Sequence, residues 1–117
     1  MNNFLIISFG SRINGRANAN SDYDFGVLGN ATLTLEERID ISYYLSKKFN
    51  INEDEIDLVD LHTVSPLLKF EVAKKGKLVQ GKTFDFIRFK VRAMKEYQDT
   101  AKFRRMRERL ILQPHVA

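Results

Sequence analysis

Apolar and polar positions fall into blocks along the chain, and each block predicts one element. Residues 4–9 are almost entirely apolar and end at Gly10 and Ser11, which predicts a buried strand that stops at a tight turn. Residues 13–21 are mostly polar and predict a loop or a single helical turn. Residues 23–28 alternate well enough in polarity to predict a second strand.

Capping residues mark where the first helix begins. Thr34 can accept a hydrogen bond from a first-turn amide while Glu37 reaches back to the Thr34 amide, which is the pattern of a capping box. A helix is therefore expected from Thr34 to about Phe49. Residues 56–61 then predict a third strand.

A second helix start and a long periodic stretch complete the predicted elements. Ser65 supplies an N-cap and Pro66 a proline at the first helical position, so a helix is expected to run to about Gly76. Residues 77–80 indicate a short strand, and residues 83–112 have the length and composition of one long helix. The apolar stripe of that helix consists of Ile87, Val91, Met94, Tyr97 and Ala101.

This order of elements predicts the architecture. Two strands followed by alternating helices and strands favour an α/β (α+β) fold, in which a small mixed β-sheet carries helices packed on one face and the chain ends in a long helix. The 117 residues, of which 44% are hydrophobic, fit one domain.

The distribution of charge and the lack of cysteine narrow the chemistry. The net charge is +4, but residues 52–60 are strongly acidic and the chain is strongly basic from Phe86 onward. Without cysteine, any metal must be held by oxygen or imidazole. No apolar run approaches the roughly 20 residues that span a bilayer, and no leader pattern is present, so we expect a cytoplasmic protein without a membrane partner.

Two aspartates and a glycine-serine pair form the sequence pattern that indicates a catalytic site. Asp22 and Asp24 are expected on one face of a strand, because successive strand side chains point to opposite faces. Their carboxylates repel each other unless a divalent cation lies between them, and oxygen ligands favour Mg²⁺. Gly10 and Ser11 offer a close backbone approach and hydrogen-bond donors to a phosphate. The sequence therefore predicts a turn that binds a triphosphate and faces a metal site.

The predicted third strand supplies candidates for a further carboxylate. Asp57 and Asp60 are expected on opposite faces of this strand, so only one of them can point at the metal. Taken alone, a glycine-serine pair is usually a turn, and strand aspartates often lie on a solvated edge. The combination at this spacing favours a nucleotide site.

These residues resemble the signature of a known superfamily. Gly10 and Ser11, ten intervening residues, the pair Asp22 and Asp24, and a distant third acid are similar to the DNA polymerase beta-type nucleotidyltransferases. Within them, the small size resembles the minimal nucleotidyltransferases, or MNT proteins. The resemblance implies that Gly10 and Ser11 hold the phosphates of ATP. It also implies that Asp22, Asp24 and Asp57 are the catalytic carboxylates and the ligands of two Mg²⁺ ions, with Asp57 as the third acid.

The resemblance also implies a function and a partner. MNT proteins paired with HEPN ribonuclease toxins are antitoxins that transfer AMP from ATP to a tyrosine of the toxin. We therefore expect a Mg²⁺-dependent protein adenylyltransferase in a hetero-oligomer with a cognate HEPN toxin. Residues 1–82 would be the catalytic core of a single domain (1–117), and residues 83–112 would dock the partner.

Three other functions stay open at this point. The first is an antitoxin that neutralises its partner by contact alone, and the second is a nucleotidyltransferase that acts on a small molecule. The third is direct nucleic-acid binding through the basic end of the chain, with an affinity that falls steeply with salt. The basic residues there are Lys90, Arg92, Lys95, Lys102, Arg104, Arg105, Arg107 and Arg109.

Since family members usually begin with a helix, whereas the first strand here starts close to Met1, we expect part of the nucleotide pocket to be built differently or supplied by a partner.

Overall fold

The computed structural model describes residues 3–10 and 22–112. Within these ranges the strands are β1 (Leu5–Phe9), β2 (Tyr23–Leu28), β3 (Ile56–Asp60) and β4 (Lys77–Gln80). The helices are α1 (Leu35–Phe49), α2 (Pro66–Lys75) and α3 (Thr83–Leu112), and a 3₁₀ turn spans Glu53–Glu55. Every predicted strand and helix is therefore present with nearly the predicted bounds, and the 3₁₀ turn is an addition.

The strands form one mixed sheet in the order β3-β2-β1-β4. Strand β1 is antiparallel to both β2 and β4, while β2 and β3 are parallel. A parallel pair needs a crossover connection, and α1 supplies it between β2 and β3. The predicted mixed sheet and the long C-terminal helix are confirmed.

Helices cover both faces of the sheet, and the prediction that they pack on one face is wrong. Leu5 and Ile7 of β1 belong to a core that includes residues of α2 and α3, whereas Ile6 lies in a second core with residues of α1. Ile6 and Ile7 are both fully buried. The physical reason lies in the nearly continuous apolar run of residues 4–9, which is typical of a strand that is buried on both faces.

The predicted caps fix the starts of the first two helices. The Thr34 hydroxyl accepts a hydrogen bond from the Glu37 amide at 3.1 Å, and the Glu37 carboxylate accepts one from the Thr34 amide at 2.9 Å. The Ser65 hydroxyl likewise accepts from the Leu68 amide at 3.2 Å. Helix α1 ends at Phe49 and is capped by Asn50, whose φ of 53° is a left-handed conformation that asparagine tolerates.

Helix α3 buries a different face from the predicted apolar stripe. Phe86 and Phe89 lie in the same core as residues of β1 and α2. Ile87 and Val91 of the predicted stripe are instead exposed. The helix is therefore apolar on two sides, and only one of them is covered within the described part of the chain. Although α3 is 30 residues long, neither it nor another helix in these ranges is apolar enough to cross a membrane.

Candidate active site

Three residues form a row across one end of the sheet. Phe9 of β1 lies opposite Asp24 of β2, and Asp24 lies opposite Asp57 of β3. Because directly opposed residues on neighbouring strands share a face, both carboxylates lie on the same side of the sheet. Phe9 packs against the core that α2 and α3 contribute to, so this is the side that carries those two helices. The parallel pairing of β2 and β3 thus brings Asp24 and Asp57 together.

The two opposed carboxyl groups interact strongly. The side chains of Asp24 and Asp57 lie within hydrogen-bonding reach of each other when one of them carries a proton. The pKa of Asp24 is raised from 3.8 to about 6, and burial is the largest cause. The charge of Asp57, a side-chain interaction with Asp57 and the charge of Asp22 contribute the rest of this rise. When both groups are ionised, such a pair is favourable only if a cation offsets their repulsion.

Asp22 lies at the edge of this pair. It precedes β2, is exposed, and acts on Asp24 through its charge. Among the described residues, no three acidic or histidine side chains converge closely enough to form a ready-made metal site. The donors fit a hard divalent cation nonetheless, because carboxylate oxygens are ligands that Mg²⁺ prefers. The candidate ligands are therefore the Asp24 and Asp57 pair with Asp22 beside it.

Gly10 follows β1 and lies against the carboxyl group of Asp24. Its φ of +95° is a conformation that residues with a side chain rarely adopt. A Cβ atom at this position would overlap the Asp24 carboxyl group, so the site needs glycine both for the backbone and for the space. The turn therefore places main-chain atoms beside the carboxylates, where a phosphate could approach. Ser11, the other predicted phosphate ligand, lies outside the described residues.

The second acid of β3 supports the fold. Asp60 is only 2% exposed, and its carboxylate accepts hydrogen bonds from the amides of Leu33 at 2.8 Å and His62 at 2.9 Å. A ring nitrogen of His62 lies 2.6 Å from the Gly29 carbonyl oxygen. These contacts tie the loop before α1 to the turn after β3. The only signal for this role in the sequence is the alternation along β3, since the Leu33 amide belongs to a distant loop.

Comparison with known families agrees with this arrangement. Residues 3–85 match the family model described as polymerase beta, nucleotidyltransferase. This range contains Gly10, Asp22, Asp24 and Asp57 and all of the strands described above. The match therefore covers the whole candidate site.

Two curated relatives share this region. Protein adenylyltransferase MntA of Aphanizomenon flos-aquae is 35% identical over 77% of the chain and 65% of its own length. Protein adenylyltransferase MntA of Shewanella oneidensis is 34% identical over 80% of the chain and 66% of its own length. The chain thus spans slightly less than two thirds of these relatives.

Solved structures extend the likeness to the fold. A crystal structure of a toxin-antitoxin with AMP-PNP has a TM-score of 0.75 at 29% identity, covering 97% of this chain and 90% of that one. The tri-AMPylated Shewanella oneidensis HEPN toxin in complex with MNT antitoxin has a TM-score of 0.67 at 26% identity, covering 97% and 87%. Since the family model matches more than half of the sequence and the fold agrees, the chain belongs to the polymerase beta nucleotidyltransferase family.

Proposed function

We propose that the chain is an antitoxin that transfers AMP from ATP to a tyrosine hydroxyl of a HEPN ribonuclease toxin. The observation that carries the proposal is the pair of opposed carboxyl groups of Asp24 and Asp57, in register on neighbouring strands and beside the turn at Gly10. The names of the two relatives support adenylyl transfer to a protein. The solved complexes support a toxin as partner, and the one with AMP-PNP supports an adenine nucleotide as substrate.

The carboxylates would hold magnesium. Asp24 and Asp57, with Asp22 beside them, offer oxygen donors and a negative charge that a divalent cation offsets. Bound Mg²⁺ would supply positive charge to the triphosphate and lower the pKa of the acceptor hydroxyl. The chain itself contributes position, because β2 and β3 hold both carboxylates in fixed register and Gly10 leaves space beside them.

The proposed transfer is a displacement at the α-phosphorus of ATP. The tyrosine oxygen forms a bond to this phosphorus while the bond from the α-phosphorus to the bridging oxygen breaks, and pyrophosphate leaves with that electron pair. The proton of the tyrosine hydroxyl passes to the carboxylate of Asp57, which is the exposed member of the pair. The products are AMP-tyrosine and pyrophosphate.

The chain has two segments with different proposed roles. Residues 1–82 form the catalytic part, since the sheet and the candidate carboxylates lie there. Residues 83–112 form α3 and bind the toxin. Residues 102–111 of this helix are exposed throughout, which leaves them accessible to a partner.

Two labelled forms of ATP test the proposal. The HEPN-type protein encoded beside the chain is incubated with it, Mg²⁺ and ATP labelled at either the α- or the γ-phosphate. Adenylyl transfer puts the α-label on the toxin and leaves the γ-label in pyrophosphate. Transfer of the γ-label would indicate a phosphoryl transferase instead. Inhibition of the toxin without any label would indicate neutralisation by contact alone.

A further inference from the structure

The first part of α3 carries an apolar row that stays largely exposed within the described part of the chain. Its members recur at intervals of three and four positions, the spacing of residues that pack against another helix. They are Phe84, Ile87, Val91 and Met94, with exposed fractions of 66%, 51%, 60% and 39%. Gln98 and Ala101 continue the same spacing. We call these six residues the seam.

The seam lies on the other side of α3 from the core. Phe86, Phe89 and Ala93 are buried with residues of β1 and α2, whereas the large seam residues between them in sequence are exposed. Single exposed apolar side chains are ordinary, but a row of them forms a patch that favours an interaction. A partner helix laid along the seam would remove this surface from water.

Basic residues border the seam on both sides. When two helices pack along such a row, the residues on either side of the row also contact the partner helix. The bordering residues are Arg88, Lys90, Lys95, Tyr97, Lys102 and Arg104, and all but Tyr97 are basic. None of them is acidic, and none forms an ion pair within the described part of the chain. Lys90 and Arg104 instead lie over the rings of Phe86 and Tyr97, at 4.3 and 4.7 Å from the ring centres.

We propose that the seam binds an amphipathic helix of the toxin whose apolar stripe is bordered by aspartate and glutamate residues. The identity of the partner rests on the proposed function, while the chemistry of the bound helix rests on the seam and its borders. A second copy of the chain is disfavoured as occupant, because two such seams bring like charges together in either orientation. Opposite charges along the borders select an acidic helix.

Single cysteines test this proposal directly, because the chain has no cysteine of its own. Val91→Cys places a thiol in the seam, and Ile39→Cys places a matched thiol on the exposed side of α1. Maleimide labelling is timed for each variant alone and with the neighbouring HEPN-type toxin. Labelling of Val91→Cys should slow about 10-fold or more in the complex, since central interface positions are desolvated, while Ile39→Cys should stay unchanged.

The outcomes separate this proposal from the proposed function. If the toxin protects Val91→Cys from labelling but receives no AMP, the result supports toxin binding at the seam and contradicts the proposed adenylyltransferase activity. AMP transfer without protection contradicts the seam alone, and failure of both contradicts both. Protection that grows with the concentration of the chain, without toxin, places a second copy in the seam and overturns the acidic partner.

Charge reversal tests the borders of the seam. Lys90→Glu combined with Lys95→Glu should weaken toxin binding about 100-fold at low salt, and the loss should shrink as salt screens the charges. Lys47→Glu combined with Lys48→Glu changes the net charge equally at exposed positions of α1 and should bind as wild type. Equal weakening by both pairs would indicate a general attraction and contradict an acidic helix at the seam.

Discussion

Asp24 and Asp57 stand directly opposite each other on the parallel strands β2 and β3, and their carboxyl groups lie close enough to interact. The register of the sheet fixes this contact, so it does not depend on a loop. Burial and the charge of Asp57 raise the pKa of Asp24. The folded chain without a bound metal therefore holds two carboxyl groups that repel each other when both are ionised. Perturbed carboxyl pairs of this kind cluster at functional sites.

Replacing Asp57 with asparagine should remove AMP transfer and leave the fold intact. The variant lacks the carboxylate proposed to accept the hydroxyl proton, so the rate of transfer should fall on the order of 100- to 10,000-fold. Its free energy of unfolding without Mg²⁺ should not fall, because the repulsion with Asp24 is relieved. Single-turnover transfer and denaturant unfolding measure the two effects.

The control for this variant is Asp54→Asn. Asp54 is an exposed acid of the 3₁₀ turn before β3, so the substitution changes the charge equally and close to Asp57. Asp54→Asn should transfer AMP at a nearly wild-type rate. An inactive Asp54→Asn, or an active Asp57→Asn, would remove the basis for assigning Asp57 as the third acid.

The raised pKa of Asp24 predicts a pH-dependent stability in the absence of Mg²⁺. This pKa is 3.8 ordinarily and about 6 in the folded chain, so the folded state holds the proton more tightly than the unfolded state. The contribution of Asp24 to the free energy of unfolding is therefore fully present at a pH below 3.8 and is lost as the pH rises through about 6. Denaturant unfolding should find Asp24→Asn close to wild type at low pH and more stable than wild type at neutral pH.

Magnesium should reverse this difference at neutral pH. The ion binds ionised carboxylates of the folded state, so wild type should gain stability as the Mg²⁺ concentration rises, and Asp24→Asn should gain less. Equal stabilisation of both proteins by Mg²⁺ would place the ion elsewhere in the chain.

Gly10 and Gly81 offer a matched pair of substitutions. Both have a positive φ, +95° and +118°, and a Cβ atom would meet Asp24 at the first position and Leu5 at the second. Alanine at either position should lower the free energy of unfolding by about 1–3 kcal/mol. Only Gly10→Ala displaces the Asp24 carboxyl group, so it alone should also lower kcat for AMP transfer under conditions where both variants are folded. A similar loss of kcat in Gly81→Ala would count against a nucleotide site at Gly10.

Asp60→Ala should weaken the fold without altering the chemistry. The substitution leaves the amides of Leu33 and His62 without their acceptor, which should lower the free energy of unfolding by about 2–4 kcal/mol. Thermal unfolding measures this loss, and the folded fraction should still transfer AMP. A stable but inactive Asp60→Ala would contradict a purely structural role for Asp60.

Signals carried by neighbouring residues predict the secondary structure of this chain well. The capping box of Thr34 and Glu37 starts α1, and Ser65 with Pro66 starts α2, because each cap is complete within a few positions. The opposition of Asp24 and Asp57 depends on the parallel register of two strands, which no local pattern specifies. The family resemblance alone singled out Asp57, and its catalytic role stays a prediction.

Local sequence patterns do not predict the long-range contacts of this chain. Ile87 and Val91 recur at the period of a buried helix face, yet Phe86 and Phe89 are the residues that face the core. The period identifies an apolar face but does not say whether the chain itself or a partner covers it. For the same reason, helices on both sides of the sheet follow from the three-dimensional packing rather than from the order of elements.

Intact-mass spectrometry of the toxin is the most direct measurement of adenylyl transfer by the Asp24 site. The HEPN-type protein encoded beside the chain is incubated with ATP, Mg²⁺ and either the wild-type chain or Asp24→Asn. We predict that the toxin gains the mass of one or more adenylyl groups with wild type and none with Asp24→Asn, although both bind it. A toxin that is neutralised at unchanged mass, or that gains the same mass with Asp24→Asn, would contradict adenylyl transfer by this site.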